Sequence, residues 1–306
     1  MSRTNIDWAT RTWNIIEGCS HASEGCQNCY AERLANRMSC NPTFGADNPY
    51  KHIVAKGKFT GDVIVMHERI GEIARLTKAH RIFVASRSDL FHENLPFCQV
   101  AQIWNELVAA KNSRHSFLIL TKRPARIHEF LRWLQDKCPD TLPEKTGKAP
   151  LLENLWIGAT VENQRQAEKR IPELLKVPAT SRWLSVEPLI GAIDLSPWLA
   201  TGKIHWVIVG GESGSGARPC HPDWVRSLRD QCGYHGVAFF FKQWGEWEPA
   251  RFIEIDGSQI PDCDKFLQME KLGSLWMWKC GKRQSGHLLN GAEVREFPGG
   301  MVIDEE

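Results

Sequence analysis

The chain has 306 residues, with 38 Lys and Arg against 36 Asp and Glu, 42% hydrophobic and 24% charged. That balance belongs to a globular protein of one large domain or two small ones and excludes predominant disorder. No apolar run approaches the ~18–20 residues of a membrane-spanning helix, and a net charge of +2 excludes a uniformly basic chain while leaving room for a local basic groove.

Met1 to Asp7 holds no apolar secretory core, so a cytoplasmic address is expected. Ten cysteines in such a chain are thiols or ligands rather than disulfide staples. Seven are scattered singly. Cys19, Cys26 and Cys29 are crowded together.

In chain order, a first strand over Thr12–Ile16 leads into a loop, 17–29, that holds the three cysteines as C-x6-C-x2-C. A helix follows, with Tyr30, Leu34 and Met38 on one face and Asn28 as its expected N-cap. Cys40–Gly61, with two prolines and three glycines, reads as a long loop. A strand at Asp62–Met66 and a helix at Arg69–Lys78 come next. Further strands are expected at Ile82–Ser86, Phe117–Thr121, Leu155–Thr160, Arg182–Val186, Ile204–Val209 and Val237–Lys242. Helices are expected at Phe97–Ala110, Ala125–Gln135, Gln164–Leu175 and Pro222–Cys232. The first of these has an apolar stripe of Val100, Ile103, Trp104, Leu107 and Val108. Asp136–Glu153 reads as a solvated excursion.

Strand and helix alternate, which implies a parallel sheet with right-handed crossovers. Eight strands over residues 1–245 predict an α/β fold, a (β/α)8-type or partial TIM-like barrel; an open doubly wound sheet is the alternative. Residues 246–306 continue no β/α unit and read as a small C-terminal cap. Polar motifs end the strands: Arg87 and Asp89, Lys122 and Arg123, Glu162, Glu187, Gly211 and Glu212, Lys242 and Gln243. Loops from separate strands converge at that rim in barrels, so these residues are candidate site groups.

Three thiols within eleven residues point to metal. A structural zinc site needs a fourth ligand, His21 or a distant cysteine. A four-iron cluster held by three cysteines leaves one iron open. A cluster loop between the first strand and first helix of such a barrel resembles the radical S-adenosylmethionine (SAM) superfamily, with six residues where the usual C-x3-C-x2-C has three. A closer resemblance covers nearly the whole chain. Gly25-Cys26-x-Asn28-Cys29-Tyr30-Ala31-Glu32, Ser88-Asp89-Leu90-Phe91-His92, Leu120-Thr121-Lys122-Arg123-Pro124, Ser185-x-Glu187-Pro188-Leu189, Gly210-Gly211-Glu212-Ser213-Gly214 and Phe241-Lys242-Gln243-Trp244-Gly245 resemble a phage- and prophage-borne three-cysteine-motif family of unsettled activity, grouped with radical SAM barrels.

The resemblance implies a 4Fe-4S cluster on Cys19, Cys26 and Cys29, and SAM as cofactor with an external electron donor. It implies a radical reaction that modifies or repairs a nucleic acid or nucleotide, in a host cytoplasm if phage-encoded. Tyr30, Asp89, Thr160, Glu162 and Glu187 become candidate SAM contacts, with Arg87, Lys122 and Arg123 for its carboxylate. Gly210-Gly211-Glu212 resembles the SAM-ammonium motif, and the same loop through Arg218 also reads as an anion cradle. Lys122, Arg123 and Lys242 are candidate catalytic groups and, with Arg218, Lys279, Lys282 and Arg283, candidate phosphate contacts. Trp244, Trp247, Trp276 and Trp278 are candidate stacking surfaces. Two other functions fit the residues: a zinc-binding phage or defence adaptor with no catalysis, and a Schiff-base enzyme using Lys122 or Lys242. A protein partner fits either cysteine-based function.

Overall fold

The computed structural model describes residues 1–109, 115–138, 154–179, 181–249, 252–255, 258–261, 268–299 and 301. Its centre is one eight-stranded sheet, built from β1 (Ser2–Arg3), β2 (Arg11–Trp13), β3 (Arg81–Val84), β4 (Ser116–Thr121), β5 (Leu155–Thr160), β6 (Ser181–Val186), β7 (Trp206–Gly210) and β8 (Ala238–Gln243). The strands lie side by side in sequence order. β1 is antiparallel at the edge, and β2 to β8 are all parallel. No pairing joins β8 to β1 among the described residues. The sheet is therefore open as paired among the described residues, and closure into an eight-stranded barrel is not detected.

Helices α1 (Tyr30–Ser39), α2 (Phe97–Ala109), α3 (Ala125–Lys137), α4 (Gln164–Lys176) and α5 (Pro222–His235) supply five of the six crossovers; the one from β6 to β7 carries the helical turn Ser196–Leu199. The strands alternate, and both sets of side chains are apolar. Val84, Ile119, Ile157, Leu184, Val207 and Phe241 pack with the helices in the larger core. Phe83, Leu118, Trp156, Trp183, Trp206 and Phe240 point to the other face and pack around Trp8 in a second core. Trp8 touches Phe83 on β3, with ring centroids 4.7 Å apart, and Trp183 on β6, at 5.3 Å. One residue can reach strands three places apart only if the sheet curls around it. A Cβ on Gly158 would lie 2.5 Å from the Trp183 ring, so this position must lack a side chain for the tryptophan to fit.

The C-terminal segment returns to this inner core. Phe241 N–H donates to Val294 O (2.8 Å) and Glu296 N–H to Phe239 O (3.0 Å), covering the free edge of β8. Phe297 packs on Trp206, and Arg295 pairs with Asp7 at 3.2 Å. Upstream, Trp247–Pro249, Met269–Leu272 and Leu275–Lys279 form a three-stranded antiparallel sheet.

Several sequence expectations need correction. Asp62–Met66 is not in the central sheet; Ile64–Val65 pairs antiparallel with Ile16–Glu17, because the insertion doubles back on the cysteine loop. Arg69–Lys78 is no α-helix but two short 3-10 turns, His67–Arg69 and Ile73–Arg75, separated by Gly71 at φ +78°. The long loop at 40–61 contains a helical turn, Tyr50–Ile53, and a hairpin of Val54–Ala55 with Lys58–Phe59. The excursion at 139–153, Ala110, the Val108 side chain and Cys263 lie outside the described residues. No helix among the described residues is long and apolar enough to cross a membrane.

Candidate functional site

Along each inner-facing row the side chains change character toward the strand C-termini. Trp156 gives way to Thr160 on β5, Trp183 to Ser185 on β6, and Phe240 to Lys242 on β8. A cavity of about 500 Å3 opens there, floored by Ile6, Trp8, Phe83 and Leu120. Its size and its place at the ends of parallel strands suit a small-molecule site. Cys19, Cys26, Cys29, Tyr30, Arg87, Asp89, Lys122, Arg123, Thr160, Glu187, Gly211, Glu212 and Lys242 all line it. Glu162 lies behind that wall, fully buried.

The cysteine loop is tightly wound. Gly18 has φ +92°, and a Cβ there would lie 2.2 Å from Asp62 O, so no side chain is tolerated. Glu24–Cys26 forms one 3-10 turn, and Cys29 N–H donates to Cys26 O at 3.2 Å. Ala22 N–H already donates to Cys26 Sγ at 3.4 Å. Burial pushes the Cys19 thiol up to about 12, and negative charge on Asp89, Cys26 and Cys29 adds to the rise. Burial also raises Cys29, against N–H groups at Glu32 and Ala31. The helix start does not dominate these thiols; loss of water does. Among the described residues, no three His, Cys, Asp or Glu side chains are arranged to hold a metal ion.

Three carboxylates fasten this loop to separate strands. Asp89, after β3, accepts from Thr121 Oγ1 (2.7 Å), Phe91 N–H (2.9 Å) and Lys122 N–H (3.0 Å). It also pairs with Arg123 at 3.1 Å, and Arg123 Nη2 donates onward to Ser20 Oγ at 2.8 Å. Glu162, after β5, pairs with buried Arg170 at 2.7 Å and accepts from Gly25 N–H at 3.3 Å. Burial alone would raise its pKa; Lys122 and Arg170 overcome that and hold the carboxyl below the usual range. Glu212, after β7, accepts from Arg218 Nη2 (2.6 Å) and Nε (2.8 Å), and from Asn28 Nδ2 at 3.0 Å. Its pKa is also lowered, by Arg218 against burial. Asn28 is therefore not the N-cap of α1. Cys29 holds that position without a side-chain cap bond, and Asn28 bridges to Glu212 and to Gly216 O (2.6 Å) instead.

The glycine loop after β7 does cradle anions, but they are the protein's own. Gly214 N–H donates to Glu246 Oε1 (2.8 Å) and Arg218 N–H to Glu212 Oε2 (2.9 Å). Gly211 N–H is taken by Gln243 O at 2.9 Å. A Cβ on Gly211 would lie 1.8 Å from Trp244 O, so this glycine serves close packing of β7 against β8. Trp244 and Trp247 are buried, their indole N–H groups held by Leu288 O (3.0 Å) and Ala217 O (2.6 Å), and offer no stacking surface. Trp276 is 44% exposed.

Fewer groups stay turned to the cavity with room for a ligand. Glu187 and Lys242 pair at 2.7 Å, each partly exposed, with Ser185 Oγ 3.4 Å from Glu187. Lys122 has one loose ion pair, 3.8 Å to Glu162. Arg87 leans on Glu17. Tyr30 is 52% exposed, its hydroxyl donating to Ser86 O. Sequence reasoning gave no site role to Arg170, Ser185, Trp8 or Phe83. Arg170 was detectable: it sits at i+3 from Ala167 and just before Ile171 on a stripe that is otherwise apolar, where a charge demands a buried partner.

A family model described as "Protein of unknown function (DUF5131)" matches residues 3–298. The chain belongs to the DUF5131 family. The match takes in the cysteine loop, every strand of the sheet from β2 to β8 and the returning C-terminal segment. No curated protein and no solved structure matches the chain.

Proposed function

We propose that this chain is a SAM-dependent radical enzyme with an iron–sulfur cluster on Cys19, Cys26 and Cys29. The observation that carries this is the cysteine wall itself: three thiols on one short loop open onto the same cavity as the polar ends of β3 to β8. The donor set fits such a cluster in kind. Its sulfurs are soft ligands that line one cavity from one short loop, and a backbone N–H already reaches one of them. When bound, the cluster and SAM supply one-electron cleavage of a sulfonium to a carbon radical.

The chain's own residues do the rest. Asp89–Arg123, Glu162–Arg170 and Glu212–Arg218 hold the loop against three strand ends, so the thiols keep their places as the cavity fills. Lys122 and Arg87 offer positive charge to a carboxylate, and Glu187, beside Lys242, offers an acceptor for an ammonium or hydroxyl. The apolar floor of Trp8, Phe83 and Leu120 excludes water from below.

A zinc module would take His21 as its fourth ligand, and the contact of His21 Nε2 with buried Glu32 at 2.9 Å is the kind that orients a metal-ligating imidazole, so metal analysis separates the two functions. The Schiff-base mechanism gains nothing from the geometry, because both lysines stand against carboxylates. Purification and reconstitution without oxygen, followed by iron, sulfide and zinc analysis, tests the proposal. A brown wild type with about four irons per chain and a colourless Cys19/Cys26/Cys29→Ala variant are expected. A colourless wild type with one zinc overturns it.

A further inference from the structure

The chain is nearly neutral overall, yet its positive charge is unevenly placed. Residues 30–60 carry Arg33, Arg37, Lys51, Lys56 and Lys58 against Glu32 and Asp47. That is a net +3 where the whole chain has +2, so the remainder is net negative. All five cations are exposed, whereas Glu32 is buried.

They lie on α1 and on the segment 50–59 that packs against its Ala35 side. Tyr30, Arg33 and Arg37 fall at i, i+3 and i+7 on α1 and share a face. That face starts at the cavity, which Tyr30 lines, and runs outward by ~10 Å at ~1.5 Å per residue. The hairpin is bound to α1 through Glu32, which accepts from Lys58 Nζ (3.0 Å) and Phe59 N–H (3.0 Å). Its turn presents Lys56, at φ 51°. The segment before the hairpin is tied to the end of α1 by Asn48 Nδ2, which donates to Met38 O at 2.9 Å. It presents Lys51 and the ring of Phe44, 40% exposed. Among the described residues, Arg37, Lys51 and Lys56 have no ion-pair partner.

We infer that this face is a track for single-stranded nucleic acid that leads one nucleotide unit into the cavity. Exposed cations meet a phosphate backbone, and the two exposed rings, Tyr30 at the mouth and Phe44 farther out, provide faces on which unpaired bases stack. A duplex hides its bases from such rings and cannot feed one into a cavity without unpairing. The inference names the substrate class of the proposed function and rests on that function for the chemistry at the cavity. The binding step itself needs no cluster.

The test is fluorescence anisotropy with labelled oligothymidylate and oligouridylate of about 12 nucleotides, against a duplex of equal length, over a salt series. It uses the full chain, with and without reconstitution. The wild type should bind the single strands more tightly than the duplex, with affinity falling steeply as salt rises. The Arg37→Glu/Lys51→Glu/Lys56→Glu variant should lose at least tenfold in affinity. Its log–log salt slope should shrink by about 2, from ~0.7 per lost phosphate contact. Tyr30→Ala should weaken binding about fivefold or more. Equal binding by the triple variant, equal or tighter binding of the duplex, or no binding at low salt overturns the inference. A chain that binds strands but takes up no iron keeps the track and removes the cluster.

Discussion

The two ends of the sheet's inner face obey the same alternation and do opposite things. At the N-terminal end, Trp156, Trp183 and Trp206 project inward and close around Trp8, with buried Arg81 donating from Nε to Trp8 O at 3.3 Å. At the C-terminal end, the same rows carry Thr160, Ser185 and Lys242, and the space between them stays open. A few residues along each strand separate a filled core from a cavity. Curvature brings strands together at both ends, and only side-chain volume and polarity decide which end is filled.

The sharpest way to break this contrast is to open the filled end. Trp183→Ala should cost about 3–5 kcal/mol, measured by urea unfolding. A loss under about 1 kcal/mol would mean the lower core is not packed as described. Next is the buried pair behind the cysteine wall. Glu162→Leu strands the Arg170 guanidinium and should cost about 3–5 kcal/mol. Arg170→Met with Glu162→Leu should recover much of that loss, and a cycle with no recovery would separate the two residues.

Acid stability sharpens the contrast further. Glu162 and Glu212 have folded pKa values below their unfolded ones. Their contribution is therefore fully present above the unfolded value of ~4.3 and is lost as pH falls through the folded values. Glu17 works in the opposite direction, because burial raises its pKa despite Arg87 and Arg69; its stabilisation is lost as pH rises through the folded value. Unfolding free energy should thus decline below about pH 4–5, and the decline should be shallower in Glu162→Gln. An unchanged acid limb in that variant contradicts the account. The smallest effect belongs to the open end: Lys242→Ala removes a partly exposed pair and should cost under about 1 kcal/mol.

The sequence made much of the framework legible. Seven of the expected strands, all except Asp62–Met66, fall on central-sheet strands β2 to β8, and five helices follow the expected stripes, because each is a local pattern of burial. Closure of the sheet was not local; it depends on whether β8 meets β1, and no residue states that. Ile64–Val65 alternates as a strand should, but its partner is Ile16–Glu17, chosen by the path of the insertion. At the site, the residues that gather at the cavity were readable from their place after strands. Their partners were not. Asn28 looks like a helix cap in any one-dimensional view, and only the fold brings Glu212 within reach. Gly211 looks like a phosphate glycine, and only the neighbouring strand shows Trp244 O where its side chain would be.

The central claim is that the open end holds a cluster with a vacant site for SAM beside it. Electron paramagnetic resonance of the reduced, anaerobically reconstituted protein, before and after adding SAM, tests it most directly. The account predicts a cluster signal that SAM alters, absent from the Cys19/Cys26/Cys29→Ala variant. A protein without an iron signal, or a signal indifferent to SAM, would contradict it.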